Sequence, residues 1–140
     1  MAAIVSIDGR EVMLNEFLDA NTVTVHLGAN EVTLNEDTTV VGDFVETTND
    51  TYAAQDILST ASWTATNDAG VTTFTPTADG GVVTFSFDGT EFDARTYYVT
   101  YNDGQDDRLL WAEDLDPPLL ASTVQTVSVT VRLRARNHTV

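Results

Sequence analysis

The side chains that could do chemistry gather in one stretch, Thr96 to Pro118, TYYVTYNDGQDDRLLWAEDLDPP. Asp103, Asp106 and Asp107 share a loop with Asn102 and Gly104. Oxygen-rich loops of this kind bind Ca²⁺. The EF-hand spacing, D-x-[DN]-x-[DN]-G with a closing Glu, is absent, so a solvated acidic turn is the better reading. Glu113, Asp114 and Asp116 offer the two acids that glycoside hydrolysis holds across a cleft. No other feature supports that reaction, and acidic residues at a strand end before Pro-Pro are ordinary.

His26 and His138 lie far apart in the sequence. No H-x-x-H, HExxH or Ser/His/Asp constellation is present, which leaves metal hydrolysis and triad catalysis without residues. No Gly-rich loop opens a helix, so a nucleotide site of the standard kind is not expected. The chain has no Cys, hence no disulfide framework, thiolate metal site or thiol redox chemistry. The residues therefore predict a protein that is not an enzyme and has no cofactor, metal or catalytic site.

Two binding surfaces are conceivable. Trp63 and Trp111, with the tyrosines, could form a sugar-stacking platform, although large aromatics in a small β-domain are more often core. Arg132, Arg134 and Arg136 alternate along the final strand, so half of the six positive charges share one face. Guanidinium groups pair bidentately with carboxylates. Their partners could be the protein's own acidic loops, a second copy or a scaffold; an exposed face that blunts a sheet edge is the other reading.

The elements that must position these residues are mostly strands. Tyr98 and Thr100 fall on one face of a strand, Tyr97, Val99 and Tyr101 on the other. Asn102-Asp103-Gly104 makes the turn, Leu109 to Ala112 re-enters the core, and Pro117-Pro118 is expected to stop the second strand. Upstream, Ile4 to Ile7 reads as a short apolar arm. A helix from about Gly9 to Asp19 follows, with Asp8 as N-cap, Glu11 at the capping-box spacing and Leu14, Phe17 and Leu18 on one face. Val23, Val25 and Leu27 alternate as a half-buried strand, closed by a Gly28-Ala29-Asn30 turn. Val32 and Leu34 could form a short strand; Val40 to Val45 suits a turn or 3₁₀ piece as well as a strand; Tyr52 to Leu58 suits helix or extended chain. Strands are expected around Trp63, over Val71 to Thr75 and over Val82 to Phe87, with turns at Asn67 to Gly70, Asp79 to Gly81 and Asp88 to Thr90. A loop from Leu119 to Thr123 leads to a last long strand, Val124 to Ala135. Short strands between Gly/Asn/Asp turns indicate an all-β fold, a β-sandwich or jelly-roll-like barrel with one short N-terminal helix. At 140 residues and 42% hydrophobic, residues 1–140 suit a single domain with a short N-terminal arm and a mobile C-terminal tail.

Charge bounds the partners. The chain has 22 acidic residues, six Arg and no Lys, a net charge of −16. Such a surface repels nucleic-acid phosphates and anionic membranes, so neither is an expected partner. The first residues, MAAIVSIDGREV, show no basic n-region and no long apolar run, which argues against a signal peptide or membrane span and for synthesis in a cytoplasm.

The order of these segments resembles a known group. EVMLNEFLDA, then VTVHL, NEDTTVVGDFVET, Tyr52-Ala53-Ala54-Gln55, the strand around Trp63, VVTFSFDG, YYVTYNDGQDDRLLWAEDLDPP and a long final strand are together similar to the capsid cement or decoration proteins of tailed bacteriophages. The YYVT…LLWAEDLDPP segment is the most specific part, and the likeness runs over roughly Glu11 to Arg136. The resemblance implies a virion structural protein, made in the host cytoplasm and placed on the capsid outer surface. It implies a homo-oligomer, dimer or trimer, that binds the major capsid protein and ties neighbouring subunits together. Candidate contacts are Ile4 and Val5 in the arm, Arg132, Arg134 and Arg136 on the last strand, and the loop after Pro118. The alternatives are a carbohydrate-binding, adhesive β-sandwich on the virion surface, or a tail or head-completion protein.

Overall fold

The structure, a computed structural model, describes residues 7–35, 37–58, 63–69, 71–77, 81–88, 92–120 and 126–136. Among these residues helix α1 (Ile7–Ala20) precedes nine strands: β1 (Val23–Gly28), β2 (Gln55–Ile57), β3 (Trp63–Asp68), β4 (Val71–Pro76), β5 (Val82–Ser86), β6 (Asp93–Asn102), β7 (Asp107–Leu120), β8 (Thr126–Thr130) and β9 (Leu133–Arg136). The fold is all-β and sandwich-like, with one short helix, as the strand and turn pattern predicts.

Three antiparallel sheets form, ordered β2-β1-β6-β7, β3-β4-β9 and β5-β8. Strand β6 is central to the largest, pairing with β1 on one side and β7 on the other. Its inner face carries Tyr97, Val99 and Tyr101, opposite Leu27, Val25 and Val23 of β1. These residues pack against Phe74, Phe85, Phe87, Val127, Val129, Val131 and Leu133 of the other two sheets in one apolar cluster. Phe74, Phe85 and Val131 lose all their exposed surface. Deleting one such side chain costs about 2–5 kcal/mol. Helix α1 closes one end, with Leu18 buried and Phe17 edge-on to Tyr101 at 4.9 Å. Asn21 caps the helix by donating to the Phe17 carbonyl at 2.8 Å.

Several local expectations are corrected. The helix begins at Ile7, which puts Asp8 inside the first turn rather than before it. Gly28 does not begin a tight hairpin. Instead the chain leaves β1, makes a long excursion, and returns beside the same strand: Ala29 N–H donates to the Val45 carbonyl and Thr47 N–H to the Leu27 carbonyl. Val32 and Leu34 join no strand, and Val41–Asp43 is a 3₁₀ turn. Of the ambiguous stretch from Tyr52, only Gln55–Ile57 pairs, with β1.

Pro117 and Pro118 do not stop β7, which continues to Leu120. The ladder jumps from Thr96↔Asp114 to Ala94↔Leu119, so Leu115 to Pro118 bulges out of register on an edge strand. No N–H is needed there, which is why two prolines are tolerated. The final strand is also two strands. Burial alternates without a break from Val127 to Leu133, yet β8 pairs with β5 and β9 with β4. The switch occurs at Val131, whose N–H donates to the Gly81 carbonyl at 2.9 Å. Gly81 has φ +83°, a conformation that favours glycine. A strand that changes sheets at a corner keeps its in/out phase while changing partners. The expected contacts Ile4 and Val5, His138, and parts of the turns at 67–70, 79–81 and 88–90 and of the loop from Leu119 to Thr123 lie outside the described residues.

Candidate functional site

The aromatic strand β6 is buried on both faces, and each face carries a polar cluster. On the outer face, strand alternation turns His26 of β1 and Tyr98 of β6 to the same side, and their rings stack at 4.7 Å. The excursion between Ala29 and Val45 returns Phe44 onto Tyr98, with rings 4.5 Å apart. Its neck is tied by Asn30, which donates to the Asp43 carbonyl and accepts from Val45 N–H. His26 Nδ1 meets Glu46 Oε1 at 2.9 Å, and Nε2 meets Thr100 Oγ1 at 2.9 Å. A carboxylate only accepts, so Nδ1 carries a proton and donates to Glu46. Tyr52 donates to the same Glu46 oxygen at 2.9 Å and accepts from Leu27 N–H. Burial, with the Glu46 charge adding to it, pushes Tyr98 up to about 12; burial also pushes Tyr52 well above the usual phenol range.

On the inner face the Tyr97 hydroxyl is a hub. It donates to Glu113 Oε2 at 2.6 Å and accepts from Trp111 Nε1–H at 3.3 Å. The backbone N–H of Arg132, at the corner between β8 and β9, faces the same hydroxyl and acts weakly to lower its value. Burial first, then the hydrogen bond to Glu113, holds this phenol far above its ordinary value. Arg134 Nη1 stands 3.8 Å from Glu113 Oε1.

Of the two acidic clusters read from the sequence, the loop and Glu113 have structural partners. Asp103 Oδ1 accepts from the Asp106 and Gln105 amides, and Oδ2 accepts from Arg108 Nε at 2.8 Å. The Asp106 amide foremost, then Arg108, holds the Asp103 carboxyl well below the usual carboxylate range. Asp107 accepts from Asn102, and Gly104, at φ +101°, completes the turn. Among the described residues no group of His, Cys, Asp and Glu is placed to hold a metal ion. Glu113 is engaged by Tyr97, while Asp114 and Asp116 are exposed.

Of the arginine stripe, Arg132 sits exposed at the corner and Arg134 turns toward Glu113; the Arg136 side chain is outside the described residues. The corner therefore divides what reads in sequence as one continuous face. Trp63 and Trp111 are both half-buried against the core. Trp111 also lines a groove of about 460 Å³ with Leu34, Asn35, Thr39, Leu109, Leu110, Ala112 and Arg134. Nothing in the sequence singles out Glu46 or the covering role of Phe44 except the apolar run from Val40. No helix among the described residues is long and apolar enough to cross a membrane. No family model matches this sequence, and no curated protein and no solved structure matches it either.

Proposed function

We propose that this protein is a non-enzymatic virion structural protein, a capsid cement or decoration protein that binds the outer surface of a tailed-phage head. The resemblance of its segment order to that group supports the reading. The structural observation that carries it is where the reactive side chains are spent. His26, Glu46 and Tyr52 tie the returning chain to β1 and β6, while Tyr97, Asp103 and Glu113 brace the β6–β7 ribbon. Such a scaffold suits a protein that works by contact, and on a symmetric lattice many weak contacts add by avidity. The −16 charge suits a surface turned away from packaged DNA. The major capsid protein is the proposed partner. Co-sedimentation with empty heads that lack the protein tests this: saturable binding at a fixed copy number per head is expected, and no binding overturns it.

A further inference from the structure

Strand β7 is the edge of its sheet: β6 pairs with one side, and among the described residues no strand pairs with the other. The groove beside it is lined by four consecutive residues, Leu109 to Ala112. Two of them, Leu109 and Ala112, sit opposite Thr100 and Tyr98 on the outer face. The other two, Leu110 and Trp111, pack toward the core. A groove touching residues from both faces runs along the strand edge, not across one face.

A bulge gives this edge a symmetry that a regular strand lacks. The ladder passes from Val99↔Trp111 to Thr100↔Leu109, leaving Leu110 as the extra residue. Opposed residues in an antiparallel pair point to the same face. Arg108, opposite Tyr101, and Glu113, opposite Tyr97, therefore both stand on the sheet face that carries these tyrosines, Arg108 at its exposed end. From Arg108 to Glu113 the faces read in, out, in, in, out, in, the same in both directions. Without the bulge, alternation would set Arg108 and Glu113 on opposite faces. The chemistry is self-complementary as well: a cation at one end, a carboxylate at the other, and Leu-Leu-Trp-Ala between.

We propose that β7 pairs antiparallel with β7 of a second copy, about a two-fold axis between Leu110 and Trp111. The two four-stranded sheets become one continuous sheet. Arg108 then faces Glu113 of the partner subunit, and the reverse, so two ion pairs flank an apolar centre. The atoms needed are at hand. Asp103 occupies only Nε of Arg108, leaving its terminal nitrogens. Tyr97 occupies Oε2 of Glu113, leaving Oε1 with Arg134 at a loose 3.8 Å. Leu34, Asn35, Thr39 and Arg134 complete the lining of the groove. The inference concerns the free protein and stands or falls separately from capsid binding.

Sedimentation velocity on the full chain over a concentration series tests it. A monomer–dimer equilibrium is expected. R108E and E113R each set like charges opposite one another twice, and each weakens the dimer by about tenfold or more. The R108E/E113R double variant restores the pairs with signs exchanged and recovers dimerisation to within about threefold of the parent. Because Glu113 also binds Tyr97, a second readout on the unaltered protein keeps the test open if E113R fails to fold. The amides of Leu109 to Ala112 should gain hydrogen-exchange protection as concentration rises. A monomer at every concentration, a dimer indifferent to R108E, or protection that ignores concentration would overturn the proposal.

Discussion

The Tyr97 hydroxyl and the Glu113 carboxylate meet at 2.6 Å across the β6–β7 ladder, and this bond organises the inner edge of the ribbon. The hydroxyl also accepts from Trp111 Nε1–H, so one oxygen holds two side chains of β7. Tyr97→Phe removes an acceptor from the Trp111 indole and a donor from a half-buried carboxylate. Groups left unsatisfied cost about 1–3 kcal/mol. Urea unfolding of the variant should show that loss with the m-value unchanged; a midpoint equal to the parent's would mean that the hub carries no stability.

Alkaline pH should destabilise the fold. Tyr52, Tyr97 and Tyr98 all have native values raised above 10.0. A raised phenol favours the native state while it stays protonated. The contribution is whole below about pH 10, the unfolded value, and is lost as pH rises toward and through the native values. Unfolding free energy measured at intervals from pH 8 to pH 11 should be flat at first and then fall. Constant stability to pH 11 would show that these phenols are not shielded.

At the other end of the scale, Asp103 should stay ionised while other carboxylates protonate. Its native value lies below the ordinary 3.8 because the Asp106 amide, Arg108 and the Gln105 amide all favour the anion. The sign is the reverse of the tyrosine case: Asp103 supports the fold above its unfolded value and withdraws that support as pH falls through the lower native one. Carboxyl carbon titration by NMR reads this directly. A midpoint near 4 would contradict the turn geometry.

Gly28 and Thr96 make a steric pair. A Cβ on Gly28 would meet Thr96 Oγ1, a buried hydroxyl with no hydrogen-bond partner among the described residues. Gly28→Ala alone should cost about 1–3 kcal/mol through overpacking. Thr96→Ala, which loses no hydrogen bond, should cost less, and the double variant should be more stable than the sum of the two predicts. Strict additivity in thermal unfolding would show that the two side chains do not meet.

The strands were legible where one face is apolar and the other polar, because a period of two survives in the sequence. β1, β4, β5 and the run from Val127 to Leu133 all show it. The turn at Asn102 to Gly104 was legible from residue type. Partner choice was not. The corner at Val131 keeps its phase while the neighbour changes, so nothing local marks it. The prolines of β7 read as a stop because the register jump that accommodates them depends on β6. The same limit hid the Tyr97–Glu113 bond: each residue was visible, but their opposition depends on a bulge at Leu110. Phe44 covers Tyr98 only through the fold of the excursion that carries it.

The central claim, that this protein strengthens a phage head, is tested most directly by heating. Empty heads lacking the protein, before and after saturation with it, would be followed by light scattering or electron microscopy through a temperature ramp. Rupture should be delayed in decorated heads, in proportion to occupancy. Identical rupture temperatures for bare and saturated heads would contradict the claim.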